Sequence, residues 1–384
     1  MSGAAVLFCV MGIGRFGLTP ILPAMIDAGL VDHFRAGLLA SANFLGYLAG
    51  ALLLWRFPGP LTHSRWFVVS LAASVIATGA MAFFPAFSVQ IPLRFAGGLA
   101  STVAMALASG IVFSRCKSYP VAGSAIFFGG VGCGIAFSAV LVELMQSWGS
   151  DWRGLWLGLA AASTLPAWLA GRHLAPHLDD TAPPSAPDEP GRSQELGPLM
   201  IAFFLFGYGY VITSTFLVAQ IRSTPALSNL EMESWLLVGL AGVPAAGLWY
   251  AFAKRSGFAT AFAAACFAEA IGIACSVTGT SAEAILISAF IFGFTFMGIS
   301  PLGLLYAAAI GQSGTSRVIG MMSATFGLGQ VIGPVVAGHL IAANGNYFVA
   351  VVSGALALLL AAILTAPAAI RERTRRRGRA PFAE

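Results

Sequence analysis

Long apolar segments alternate with short polar ones along almost the whole chain. Twelve segments each hold roughly 20 or more mostly apolar residues, the length that an α-helix needs to cross the hydrocarbon core of a bilayer. The connections between them are rich in Pro, Gly, Ser and charged residues, which favour turns. The pattern predicts an all-α integral membrane protein with twelve transmembrane helices (spans 1 to 12) at 3–26, 35–57, 66–86, 88–114, 120–146, 153–174, 199–221, 233–253, 258–279, 282–311, 318–343 and 347–370.

One polar segment is much longer than the others. Residues 175–198, APHLDDTAPPSAPDEPGRSQELGP, combine prolines, serines and charges in the manner of a flexible linker. The linker separates a predicted six-helix domain at 1–174 from a second one at 199–370, and a basic tail occupies 371–384.

Positive charge is distributed unevenly between the two sides of the predicted bundle. With the N-terminus inside, fifteen of the 20 Lys and Arg residues fall in inner loops and the tail, three in outer loops and two within spans. An excess of Lys and Arg marks the cytoplasmic side. We therefore expect a multi-pass protein of the cytoplasmic (inner) membrane with both termini in the cytoplasm, where the basic tail meets anionic lipid.

Composition also favours a chain surrounded by lipid. The 384 residues are 58% hydrophobic and 9% charged, whereas soluble domains carry about a quarter charged residues. The chain lacks a phosphate-binding glycine loop, a spacing of His and Cys typical of metal ligands, and a plausible Ser-His-Asp set. We predict no cofactor, no metal, no enzymatic activity and no binding of nucleic acid.

The two halves of the chain resemble each other at a nearly constant offset. MGIGRFGLT at 11–19 aligns with FGYGYVITS at 206–214 after a shift of 195 residues. GVGCGIA at 130–136 aligns with GLGQVIG at 327–333 after a shift of 197. Parallel repeats of this kind predict two pseudo-symmetric six-helix bundles with a solute site between them, near the membrane midplane.

The strings GIGRFGLTPILPAM in span 1, FGYGYVITSTFL in span 7 and GLGQVIGPVVAG in span 11 resemble the YbfB/YjiJ-type branch of the major facilitator superfamily. The resemblance implies two six-helix bundles that rock about a central site. It leaves the substrate open. The loops GALLLWRFPGPLTHSRW and GLWYAFAKRSGF lack the acidic residue that the superfamily places between spans 2 and 3 and between spans 8 and 9. The charged latch is therefore expected to be absent or built differently.

Span 1 carries an arginine near its middle. Arg15 lies about 18 Å along the helix from the start of the span, too deep for its side chain to reach water at the helix end. A charge at this depth faces a cavity or a partner. We predict that Arg15, Thr19, Tyr210 and Ser214 line a solute cavity, in which the guanidinium binds an anionic or strongly accepting group. Alternatively, Arg15 clamps backbone carbonyls that the following prolines leave without a donor.

Three more polar side chains are predicted to line the cavity: Asn43 and Tyr47 in span 2, and Gln330 in span 11. Each is equally suited to a hydrogen bond with a neighbouring helix.

Three ionisable residues within spans are candidates for proton coupling or gating. Arg94 and Glu143 lie at similar depth and are suited to pair, as a gate, as a proton relay or as a structural ion pair. Glu269 lies in the middle of span 9, where a carboxyl group favours its neutral form.

These observations predict a secondary active transporter that moves a small organic solute by alternating access. The sequence has no nucleotide site, and its buried carboxyl groups, Glu143 and Glu269, favour protons as the coupling ion, with facilitated diffusion as the alternative. The expected partners are the solute, protons and the lipid bilayer, and we expect a monomer. Two alternatives remain: a membrane sensor or receptor that binds solute without moving it, and a transporter of lipid-like amphiphiles.

Overall fold

The computed structural model describes residues 1–56, 64–116, 119–178, 195–279, 281–310 and 315–377. Regular structure in these ranges is entirely helical. Span 1 is made of Ser2–Leu7, a π-helical segment Phe8–Ile13, and Leu18–Asp27. Spans 2 to 12 are, in order, His33–Arg56, Ser64–Ala80, Phe87–Arg115, Pro120–Ser147, Trp152–Leu174, Leu196–Arg222, Glu231–Ser256, Phe258–Thr278, Ala282–Ile310, Thr315–Asn344 and Phe348–Arg377. Short 3₁₀ turns lie at Ala175–His177 and Ser228–Leu230.

The helices match the apolar pattern of the sequence. Within the described residues, eleven helices are long and apolar enough to cross a membrane, and span 3 is a shorter apolar helix of 17 residues. Span 3 ends at Ala80 rather than at the predicted 86. The helix does not continue to 86 because Pro85 disfavours a helical conformation of the residue before it. Span 12 continues to Arg377, so part of the predicted tail extends a helix. Most of the predicted linker, 179–194, lies outside the described residues.

The outer surface of the bundle is apolar. Large side chains such as Ile76, Leu165 and Ile363 are more than half exposed. A surface of this kind needs a lipid environment, since a soluble protein exposes only limited apolar patches. The chain is thus a multi-pass membrane protein.

Span contacts follow the same order in each half of the chain. In the first half, span 2 packs on span 4, span 3 on span 6 and span 1 on span 5. In the second half, the corresponding contacts join span 8 to span 10, span 9 to span 12 and span 7 to span 11. The halves meet where span 2 packs on span 11, span 5 on span 8 and span 1 on span 7. We call the side where spans 1 and 7 begin the terminal side, and the opposite one the far side.

A carboxylate from span 12 caps span 9 on the terminal side. Glu372 accepts hydrogen bonds from the backbone N–H groups of Phe258, Ala259 and Thr260 at 3.1, 3.0 and 3.3 Å. The cap lies against Gly257, whose φ of +103° favours glycine. The loop between spans 8 and 9, which lacks the acidic residue of the superfamily, therefore receives a carboxylate from a distant part of the chain.

Glu372→Ala is expected to lower the free energy of unfolding by about 1–2 kcal/mol, because it removes the acceptor of a helix N-terminus. The measurement is unfolding of the purified protein in detergent. Thr374→Ala is a matched control, since the Thr374 hydroxyl donates to the carbonyl of Ile370 in its own helix. Equal stability of both variants would contradict the capping role.

Candidate functional site: a central cavity at Arg15

A cavity of about 330 Å³ lies between the two halves. It is lined by spans 1, 2, 4, 5, 7, 10 and 11. Phe113, Ser124, Leu305 and Ser323 line it near the terminal-side ends of their helices, so the cavity extends from Arg15 toward that side. Most of the wall is apolar, and its aromatic members are Phe16, Tyr47, Phe113, Phe127, Phe128, Phe203, Tyr210, Phe296 and Phe326.

Arg15 lines this cavity and is the only charged residue among the described residues that do so. Its side chain is 4% exposed. The guanidinium lies over the ring of Tyr47 at 4.0 Å and over the ring of Phe44 at 5.0 Å, and such cation–π contacts partly compensate its charge. Its Nε and Nη2 atoms have no hydrogen-bond acceptor in the described part of the chain.

A second buried arginine, Arg94, clamps the backbone of span 1 next to Arg15. Arg94 Nη1 donates to the carbonyl of Gly14 at 2.9 Å, and Nη2 donates to the carbonyl of Arg15 at 3.1 Å. Asn43 Nδ2 in turn donates to the carbonyl of Arg94 at 3.0 Å. Asn43 thus holds span 2 to span 4 away from the cavity wall. The alternative role of Arg15, as a clamp on the carbonyls that the following prolines leave without a donor, stays a prediction.

The backbone that Arg94 holds is irregular. The N–H groups of Gly14 and Phe16 donate to the carbonyls of Cys9 and Met11, each five residues earlier, at 2.8 and 3.0 Å. Widened turns of this type occur frequently at functional sites. The segment fits against span 5 because a Cβ atom at Gly12 would lie only 2.6 Å from the Cα atom of Gly134.

Tyr210 forms the opposite wall, in the second half of the chain. Its hydroxyl accepts a hydrogen bond from Gln330 Nε2, and both side chains are buried. The Tyr210 ring lies nearly parallel to those of Phe296 and Phe326, with centroids 5.8 Å apart in both pairs. Gln330 therefore orients an aromatic wall rather than facing the cavity itself.

Beyond Arg15, the far side is sealed by contacts between the halves. Thr19 donates a short hydrogen bond to the carbonyl of Ser214, its partner in the repeat alignment. Nearer the surface, Arg222 Nη2 lies 2.8 Å from Asp27 Oδ2. His33 Nε2 lies 2.8 Å from the Tyr347 hydroxyl. Thr19 and Ser214 thus lie in the seal and not in the cavity wall.

Backbone contact at small residues completes the seal. A Cβ atom at Gly37 in span 2 would lie 2.1 Å from the carbonyl oxygen of Pro334 in span 11. A Cβ atom at Gly239 in span 8 would lie 2.3 Å from the backbone nitrogen of Ala136 in span 5. Small residues allow membrane helices to approach this closely.

A family model described as uncharacterised MFS-type transporter YbfB matches residues 7–366. The chain belongs to this family of major facilitator transporters. Two crystal structures of transporters have a fold similar to that of this chain. A mutant of the nucleoside transporter NupG is similar with a TM-score of 0.71 and 15% identity, over 97% of this chain and 98% of that one. The human organic anion transporter MFSD10 (TETRAN) is similar with a TM-score of 0.62 and 16% identity, over 95% of this chain and 98% of that one. No curated protein sequence matches the chain.

Two carboxylates of this transporter lie outside the cavity wall. Glu143 is exposed near the far-side end of span 5, and the predicted pairing with Arg94 is wrong because Arg94 turns toward span 1. Glu269 is fully buried in span 9, and the hydroxyl of Thr295 in span 10 lies close enough to interact with its carboxylate. Glu269 lies near enough to Tyr210 for the two to interact electrostatically.

Sequence reasoning did not identify the aromatic wall or the link between Asp27 and Arg222. The wall does have a signal, since Phe203 and Tyr210 lie two turns apart on one face of span 7. In a chain that is 11% aromatic, however, such spacing does not separate cavity walls from lipid-facing surface. The Asp27–Arg222 link joins the ends of two helices that are distant in sequence, and no local pattern predicts it.

Proposed function

We propose that the protein is a secondary transporter that moves a small organic solute across the cytoplasmic membrane by alternating access. The observation that carries the proposal is the cavity at Arg15. It lies between the halves, extends to the terminal side and ends at a seal on the far side. This arrangement fits an inward-facing state if the termini are cytoplasmic, as the charge distribution favours.

Rocking of two pseudo-symmetric bundles is the motion that this arrangement supports. The seal is made of a few hydrogen bonds, a solvent-exposed ion pair and glycine contacts, none of which is covalent. Exposed ion pairs contribute little, about 0–1 kcal/mol. The far side therefore has contacts that can separate without disrupting either bundle.

Spin labels test this motion without knowledge of the solute. One pair, at Ser114 and Ala309, reports the terminal side, and a second pair, at Asp32 and Asn344, reports the far side, all in a background with the five cysteines replaced. We expect two distance populations in lipid, with the terminal-side pair shorter when the far-side pair is longer. A single population for both pairs under all conditions would contradict alternating access and favour the sensor alternative.

Proton coupling is part of the proposal, with Glu269 as the carrier. A fully buried carboxyl group within a membrane span marks a functional site. Glu269→Gln is expected to reduce uptake driven by a pH gradient to the rate without a gradient, while exchange of solute across the membrane continues.

Proteoliposomes loaded with a transported solute separate the two activities. Glu143→Gln is the matched control, because Glu143 is exposed and lies away from the cavity wall. Gradient-driven uptake that survives Glu269→Gln but is lost in Glu143→Gln would move the coupling role to Glu143.

One observation favours the amphiphile alternative. A groove between spans 2 and 11 on the lipid-facing side is lined by Leu48, Leu52 and Met321, and it shares Ser323 with the central cavity. A bulky residue at the groove, Ala324→Trp, would obstruct entry from the bilayer. Loss of amphiphile uptake with normal uptake of a water-soluble solute would support this second function.

A further inference from the structure

We infer that the solute is a small organic anion with a flat apolar body, of the class of aromatic monocarboxylates. The inference rests on the proposed function, because it assigns a ligand to the same cavity. Charge balance and the shape of the wall support it independently.

The charge balance begins with the buried ionic residues. In the described part of the chain the buried charged residues are Arg15, Arg94 and Glu269. The Nη atoms of Arg94 are bound to two carbonyls of span 1, and Glu269 is not part of the cavity wall. The cavity therefore carries the charge of Arg15 without a neighbouring carboxylate in its wall. An uncompensated charge in a membrane interior is costly, so a bound anion would be stabilised here.

The two nitrogen atoms of Arg15 that lack an acceptor indicate which chemical group of the solute would bind there. Nε and Nη2 lie on one edge of the guanidinium, the edge that holds a carboxylate through two parallel hydrogen bonds. Both atoms are buried and lack an acceptor among the described residues. The faces of the guanidinium are already occupied by the rings of Tyr47 and Phe44. A carboxylate supplies both missing acceptors once this edge turns toward the cavity.

The opposite wall fits a flat apolar body. The rings of Phe203 and Phe326 lie 4.9 Å apart at an interplanar angle of 24°, and the Tyr210 ring continues the stack at 13° to Phe326. Aromatic rings pack well on such faces. The volume of about 330 Å³ lies at the lower end of the range for small-molecule sites, which favours one small ring system.

Other classes of solute fit less well. An organic cation would be repelled by Arg15. A neutral solute with many hydroxyl groups needs several free donors and acceptors, whereas Gln330, the side-chain amide next to the wall, already donates to Tyr210. The remaining polar groups of the described wall are the hydroxyls of Tyr47, Tyr210 and four serines.

Four related probes test the inference on the full-length protein in nanodiscs: benzoate, the neutral benzamide, the cationic benzylammonium, and acetate, which lacks the ring. Binding is measured by titration calorimetry and by the rise in apparent melting temperature with ligand concentration. We expect benzoate to bind at least about tenfold more tightly than each other probe, because benzamide and benzylammonium lack the carboxylate that bonds to the guanidinium and acetate lacks the ring that packs on the aromatic wall.

Variants assign the preference to the two walls. Arg15→Gln is expected to bring the dissociation constants of benzoate and benzamide together, and Phe326→Ala is expected to weaken both by a similar factor. Arg172→Gln, at an exposed arginine near the terminal-side end of span 6, should leave both unchanged. If Arg15→Gln does not fold, the comparison of the four probes on the unmodified protein still decides the charge preference.

The outcomes separate the inference from the proposed function. Benzamide or benzylammonium binding as tightly as benzoate, or no binding of benzoate, would overturn the anion assignment and leave the spin-label test of alternating access intact. Binding of benzoate that depends on Arg15, together with a single spin-label state and no uptake into liposomes, would support the anion assignment and overturn transport.

Discussion

Gly37→Leu is expected to hold the transporter open on the far side. A Cβ atom at this position would lie 2.1 Å from the carbonyl oxygen of Pro334, and the backbone of span 11 cannot yield as a flexible side chain can. Because spans 2 and 11 belong to different halves, the larger side chain would push the halves apart rather than disrupt one bundle. An overpacked contact costs about 1–3 kcal/mol, and a free energy of this size shifts an equilibrium between two states by about 5- to 150-fold.

Cysteine labelling measures this shift. Ser214 lies in the seal, so Ser214→Cys in a background without other cysteines should react with a bulky maleimide about tenfold or more faster when Gly37→Leu is added. Gly110→Leu is the control, because a Cβ atom there meets nothing within 4 Å. Solute uptake should fall to background in the Gly37 variant only. An unchanged labelling rate with normal uptake would show that spans 2 and 11 do not form the seal.

Arg94→Leu is expected to cause the largest loss of stability. It leaves the carbonyls of Gly14 and Arg15 without the donors that now reach them at 2.9 and 3.1 Å. An unsatisfied buried polar group costs about 1–3 kcal/mol, so the loss of donors to two carbonyls should lower the free energy of unfolding by about 2–6 kcal/mol. Arg94→Lys should recover only part of the loss, because an ammonium lacks the planar fork that reaches two acceptors.

Reversible unfolding in detergent, or the apparent melting temperature in lipid, measures the loss. Arg153→Leu is the control, since Arg153 is about half exposed and its ion pair with Asp151 lies at the surface. Solute binding should also weaken in Arg94→Leu, because the backbone that carries Arg15 loses its support. Stability equal to that of the Arg153 variant would rule out the clamp.

The one-dimensional pattern predicted the helices, the repeat and the depth of each polar residue. Thr19 and Ser214 illustrate this, since the alignment of the halves paired them and the structure joins them by a hydrogen bond. Arg15 and Tyr210, also paired by the alignment, both line the cavity. Repeats preserve the face of a helix as well as its length, and for this reason the alignment could pair side chains across the two halves.

Depth alone did not predict the direction in which a side chain points. Arg94 and Glu143 lie at similar depth, yet Arg94 turns toward the backbone of span 1 and Glu143 is exposed. The sequence does not fix the rotation of each helix about its own axis. Every polar group at a given depth is therefore an equally good candidate to pair with Arg94. The cap by Glu372 was missed for a similar reason, because it joins span 12 to the start of span 9 across 112 to 114 residues of sequence.

The widened turn at Phe8–Ile13 also determines how many residues span 1 needs. A π-type turn accommodates one residue more than an α-helical turn over the same path. An uninterrupted α-helix between the same two ends would therefore be one residue shorter, with both flanking segments packed as they are now. In a regular α-helix each residue turns the side-chain direction by about 100°. Without the widened turn, the extra residue would therefore turn Arg15 about 100° away from its present direction. The widened turn therefore allows Ser2–Leu7 to keep its contacts with span 5 while Arg15 points into the cavity.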